Sequence, residues 1–206
     1  GYPVYHNYTL LCGGEPYTVA MTRENNFLPD LDSIPADVAQ RAKLLFLNYP
    51  NNPTGAIVTP EFIEKSIAFC RKYDILLCHD NAYSEMTFDG YQAPSFLSAP
   101  GAKEVGVEFT TMSKGFSMAG WRIGFCSGNS EMVRALATIK GYYDYGIFQA
   151  AQIAAIVALR HCENSRSSMP RATTLRGWDS HSRRAVITPW APRIIARCST
   201  AATSNC

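Results

Sequence analysis

Three apolar runs in this chain each end abruptly in a polar cluster, and that pattern constrains the fold more than any other feature. Lys43 to Leu47 runs into Asn48-Tyr49-Pro50-Asn51-Asn52-Pro53-Thr54-Gly55. Ile75 to Cys78 runs into His79-Asp80-Asn81-Ala82-Tyr83, and Val105 to Met112 runs into Ser113-Lys114-Gly115. The central run is continuous rather than alternating, as expected of a strand buried on both faces. Tyr17 to Met21 and Ile123 to Ser127 supply two further strands. Between them lie helical patterns. Thr59 offers an N-cap with Pro60 at the first helical position, and Phe62, Ile63, Ile67 and Phe69 form an apolar stripe. Ser130 is the expected cap of a helix through Ile139, and Phe148 to Arg160 reads as a strongly apolar helix. Strands alternating with helices imply an α/β fold with a mostly parallel sheet.

In an open α/β sheet, ligands bind beyond the carboxyl ends of the strands. The polar clusters stand at those ends, so Asn52, Asp80, Tyr83, Thr111, Lys114 and Arg122 are expected to converge on one crevice. Lys114 is the most suggestive of them. Burial disfavours a charged amine, and a neutral amine that reaches a carbonyl forms a Schiff base. Each residue also has an ordinary structural explanation. Asn51-Asn52-Pro53-Thr54-Gly55 has the composition of a tight turn, Asp80 that of a helix cap, and Tyr83 that of a packed aromatic with a wet tip. Lys114 and Arg122 equally suit a solvated surface. His79 lies in an apolar run and reads as a packed core residue rather than a metal ligand.

Taken together, an amine, a carboxylate, a phenol, an amide and a guanidinium beside hydroxyls match the functional groups of pyridoxal 5′-phosphate. A lysine binds its aldehyde, and a carboxylate keeps its ring nitrogen protonated. A phenol and an amide suit the ring oxygen, and arginine with hydroxyls suits the phosphate.

The ordered set Gly-Tyr-Pro-Val-Tyr at 1–5, Asn-Asn-Pro-Thr-Gly at 51–55, Asp80 with Tyr83, Ser113-Lys114, and Gly-Trp-Arg-Ile-Gly at 120–124 resembles the fold-type I pyridoxal-phosphate aminotransferases (class I/II, the aspartate aminotransferase superfamily). Asp-Asn-Ala-Tyr at 80–83 and Tyr-Tyr-Asp-Tyr-Gly at 142–146 look most like the bacterial alanine-forming and LL-diaminopimelate-type members. The resemblance covers residues 1 to about 162. It implies a three-layer α/β/α large domain with one antiparallel strand, a small domain largely missing, and a chain that is a fragment. It also implies a phosphate-binding turn and a ring-stacking aromatic upstream of Gly1, and a carboxylate-binding arginine in the small domain, none of which is assigned here.

The roles implied by that resemblance are specific. Lys114 is the Schiff-base lysine and moves the proton between substrate and cofactor. Asp80 pairs with the ring nitrogen, Tyr83 and Asn52 hold the ring oxygen, and Thr111, Ser113 and Arg122 bind phosphate. The implied reaction is transamination between an amino acid and a 2-oxo acid, alanine or glutamate with pyruvate or 2-oxoglutarate, by a cytoplasmic homodimer. A β-lyase or decarboxylase on the same scaffold, or a catalytically dead binding domain, stays open as an alternative.

Composition sets limits on these readings. No apolar run approaches the roughly 18 residues of a membrane span, and no signal-peptide pattern is present. The seven cysteines include no Cys-x-x-Cys pair and no zinc spacing, which fits packed free thiols. Charge is uneven. Residues 1–164 carry twelve Lys and Arg against sixteen acids, a net of −4, whereas residues 165–206 hold seven Arg and one acid, a net of +6. An arginine-rich nucleic-acid arm is one reading of that segment, but Pro170, Pro189 and Pro192 interrupt it and it holds only two aromatics. Residues 1–162 are therefore expected to form the large domain, with 163–206 an atypical tail that is disordered or not the authentic continuation.

Overall fold

The computed structural model describes residues 2–161 and the backbone of residues 183–189. In chain order the elements are α1 (Pro3–Leu11), β1 (Tyr17–Met21), α2 (Ala36–Arg41), β2 (Ala42–Asn48), α3 (Pro60–Tyr73) and β3 (Leu76–Asp80). They continue as α4 (Ala102–Val105), β4 (Gly106–Thr111), α5 (Met112–Gly115), β5 (Gly124–Gly128), α6 (Ser130–Asp144), α7 (Gln149–His161) and β6 (Arg183–Pro189).

The strands form one sheet in the order β1-β6-β2-β3-β4-β5. β2, β3 and β4 are mutually parallel, and β5 runs antiparallel to β4 at one edge. β6 lies antiparallel between β1 and β2, so those two strands point the same way. The expected antiparallel strand is therefore β5, and β6 adds a second. Within the segment expected as an atypical tail, the backbone of Arg183–Pro189 occupies an interior place in the sheet. The remainder of 163–206 lies outside the described residues.

Side-chain alternation along the strands builds two layers. Leu45, Leu47, Ile75 and Leu77 are buried with Phe62, Ile63, Ile67 and Cys70 of α3 in the main core. Thr59 caps α3, its hydroxyl accepting from Phe62 N at 3.3 Å, and the Phe62–Ile63–Ile67 stripe is the buried face. The opposite sheet face carries Phe46, on which Tyr5 of α1 stacks. There α7 buries Ala155 and Ala158 with Met112 and Ile123, while its Ile153, Ile156 and Val157 stay exposed. Successive burial of Leu77, Cys78 and His79 follows from helices on both faces of β3.

One boundary differs from expectation. Asn129, not Ser130, caps α6, because its carboxamide oxygen accepts from both Glu131 N at 3.0 Å and Met132 N at 3.1 Å. One oxygen thereby satisfies two of the amides that a helix start leaves unpaired. Among the described residues no helix is long and apolar enough to cross a membrane.

Candidate active site

The register decides which polar residues meet. Asn48 pairs with Asp80 across β2 and β3, and Asp80 with Phe109 across β3 and β4. Because these strands are parallel, Asn48, Asp80 and Thr111 all stand at one edge of the sheet, its carboxyl end. The Asn48 amide donates to Asp80 O at 2.9 Å, and its carboxamide oxygen accepts from Asn52 N at 2.9 Å. Asn48 thus ties the loop bearing Asn52 to the strand bearing Asp80.

Asp80 is half-buried, with both carboxylate oxygens engaged. Oδ1 accepts from Ala82 N at 3.2 Å, and the Tyr5 hydroxyl donates to Oδ2. An ionised carboxylate offers about four acceptor positions, so two donors leave capacity for a third. Burial pushes the Tyr5 phenol far above its ordinary value, and the neighbouring Asp80 carboxylate adds to the rise. Tyr5 therefore stays a neutral donor throughout the physiological range.

Tyr83 lies in the turn after β3, and the Lys114 amine sits 5.7 Å from its ring centroid. That distance is within reach of a cation–π attraction. Of the two placements open to it from sequence, Lys114 takes the exposed one, because α5 projects it beyond the end of β4. Gly115 allows this turn to close on the segment after Tyr83: a Cβ there would lie 2.5 Å from the Glu85 Cβ.

The expected phosphate-binding residues cluster in part. Thr111 and Arg122 lie on facing ends of the β4–β5 pair, and Gly124 permits that approach because a Cβ would meet Thr110 O at 2.6 Å. The Thr111 hydroxyl donates to Ile123 O at 3.3 Å and accepts from Ser113 N at 3.1 Å, capping α5. Turning that hydroxyl toward a phosphate requires it to leave Ile123. Arg122 adopts a left-handed backbone (φ 51°) and donates to Ala119 O at 2.9 Å. Its guanidinium lines a cavity of about 640 Å³ with Ser117, Trp121 and Asp144, so it is not yet gathered with Thr111 and Ser113.

Two contributors were not anticipated. Tyr5 belongs to the Gly-Tyr-Pro-Val-Tyr motif, but only the tertiary contact reveals its partner. Asn48 could have been found as the first polar residue after an apolar run. His79 is buried as expected, yet it also anchors a polar network on the α3 side of the sheet. Its ring nitrogens lie 2.9 Å from Glu108 Oε2 and 3.0 Å from Tyr49 O, and Ser95 and Phe96 N donate to the same carboxylate. Burial would push Glu108 up, but hydrogen bonding and charge from His79, with Asn81 and Ser95, hold it below its ordinary value.

The chemistry of the donor set fits pyridoxal 5′-phosphate. A carboxylate with spare acceptor capacity, an accessible amine beside a phenol, and half-buried Asn52 border one sheet edge. A family model described as aminotransferase class I and II matches residues 1–174. An LL-diaminopimelate aminotransferase of Moorella thermoacetica is 49% identical, over 93% of this chain and 52% of the relative. One from Syntrophobacter fumaroxidans is 58% identical, over 77% of this chain and 41% of the relative. The chain thus spans about half the length of the curated relatives it matches, and the matched residues extend past 162. Among solved structures, apo-BacF from Bacillus subtilis superposes with a TM-score of 0.79 at 41% identity, over 82% of this chain and 42% of that one. A probable N-succinyldiaminopimelate aminotransferase from Thermus thermophilus gives 0.76 at 34% identity, over 81% and 44%.

Proposed function

This chain belongs to the aminotransferase class I and II family, whose members depend on pyridoxal phosphate, and from that premise we propose that it transfers an amino group between an amino acid and a 2-oxo acid. The carrying observation is the shared sheet edge of Asn48, Asp80 and Thr111, with the Lys114 amine 5.7 Å from the Tyr83 ring. Asp80 would hold a proton at the ring nitrogen, while Tyr83 and Asn52 bind the ring oxygen. Thr111, Ser113 and Arg122 would bind the phosphate. The cofactor, when bound, supplies an electron-withdrawing ring that stabilises negative charge at the substrate Cα. Lys114 would supply the amine that holds the cofactor aldehyde and would carry the proton to and from the substrate Cα.

The relatives' names support an LL-diaminopimelate-type substrate, and the family resemblance implies glutamate with 2-oxoglutarate as the partner pair. The reading also assigns a cytoplasmic homodimer. Exposed Tyr142, Tyr143 and Phe148 on and after α6 support a further contact surface. The test is an absorbance spectrum with added pyridoxal 5′-phosphate, borohydride reduction and peptide mapping. A reduced adduct at Lys114 is expected. An adduct at another lysine, or none, overturns the assignment.

A further inference from the structure

Asp80 ends a short strand at the sheet edge it shares with Asn48 and Thr111, so something must fix its side chain. Two donors do so. Ala82 N holds Oδ1 from the following turn, and Tyr5 holds Oδ2 from a helix 75 residues away in sequence. Tyr5 is itself held tightly. Its ring stacks on Phe46 with centroids 5.1 Å apart and planes within 7°, and its backbone carbonyl accepts from Thr9 Oγ1 at 2.6 Å. The edge of Tyr2 meets the same ring at 6.0 Å. Tyr5, Tyr8, Phe46 and Phe109 line an apolar cavity of about 510 Å³, a low-dielectric wall beside the carboxylate.

We propose that Tyr5 is a positioning residue for Asp80: its hydroxyl fixes the carboxylate rotamer, so that the remaining lone pairs face the crevice and the ring nitrogen of the cofactor. The inference rests on the reading of Asp80 given above. Tyr5 touches neither substrate nor cofactor and acts through Asp80 alone. Phe46 provides the flat surface that sets the height of the hydroxyl, and α1 becomes part of the site's support rather than an edge helix.

The test compares ligands that do and do not carry the ring. The full 206-residue chain is titrated calorimetrically with pyridoxal 5′-phosphate, pyridoxamine 5′-phosphate and inorganic phosphate, as wild type, Tyr5→Phe, Asp80→Asn and the double variant. Tyr5→Phe keeps the stack on Phe46 and removes only the oxygen. It should weaken both ring-bearing ligands about tenfold, the scale of one hydrogen bond to a charged group, and leave inorganic phosphate unchanged. In the Asp80→Asn background the same change should have no further effect on ring-bearing ligands. Equal weakening of all three ligands would make Tyr5 a general structural support and overturn the proposal. Tighter binding in Tyr5→Phe would make the phenol a competitor for the ring nitrogen's place, which also overturns it. Unchanged affinity with a reduced adduct still at Lys114 would sink this inference alone. Failure of the wild-type chain to bind either ring-bearing ligand would remove the cofactor reading and this one with it.

Discussion

Asn48 and Asp80 end neighbouring parallel strands in register, and the Asn48 amide donates to the Asp80 carbonyl at 2.9 Å while its oxygen accepts from Asn52 N. One side chain therefore joins two elements of the site. Asn48→Ala leaves a half-buried carbonyl and a half-buried amide without this side-chain partner, at a cost of about 1–3 kcal/mol. Urea denaturation should show that loss in the midpoint. Weaker binding of pyridoxal 5′-phosphate should accompany it, because Asn52 loses its tether.

Asp80→Asn keeps the shape of the side chain: its one carboxamide oxygen can still accept from Ala82 N, while its NH2 group cannot accept from the Tyr5 hydroxyl. Its effect should fall on chemistry. An amide does not hold a proton on the ring nitrogen as a carboxylate does, so turnover should fall by a factor on the order of 100 or more, about 2.7 kcal/mol in the barrier. Single-turnover kinetics on the cofactor-loaded protein measure this. Undiminished turnover would reduce Asp80 to a turn-forming residue.

Glu108 introduces a pH dependence of stability. Its native value lies below its ordinary one, held down against burial by His79, Asn81 and Ser95. The unfolded chain therefore takes up its proton first as pH falls. The stabilisation is complete above the unfolded value of about 4.3 and is lost as pH drops through the native value. Glu108→Gln should flatten that acid limb in thermal melts taken downward from about pH 4.3, the unfolded value. At neutral pH the variant should also be destabilised by about 1–3 kcal/mol, since His79 loses a charged partner in the core.

The thiols should separate sharply. Burial pushes Cys70 and Cys78 up to about 12, whereas Cys12 is exposed. Alkylation at pH 7.5 followed by peptide mass spectrometry should label Cys12 within minutes and leave Cys70 and Cys78 unmodified until the chain unfolds. Early labelling of Cys78 would mean that β3 opens locally.

Much of the architecture is legible in local pattern, for reasons particular residues show. Tyr17 to Met21 reads as a strand from its own residues and is one. Thr59 and Pro60 announce α3 because a cap and a fixed φ act within one turn. Ser130 misled because two adjacent polar residues could both cap, and only the backbone bend at Asn129 decides between them. α1 went unread since its apolar and polar residues show no clear stripe, and its place depends on Tyr5 reaching Phe46 and Asp80.

Sequence alone determined the residue types at the ends of the three apolar runs, and with them the donors and acceptors available for chemistry. The family follows from those residues because their identity and order are local, covalent facts. Tertiary structure alone decided the rest: that Asn48 and Asp80 share a register, that Tyr5 holds Asp80, that Lys114 is exposed, and that β6 enters the sheet between β1 and β2. Those are long-range relations. They are set when burial of Leu45, Leu47 and Leu77 against α3 selects one strand register, since a one-residue slip would turn every buried side chain to the opposite face.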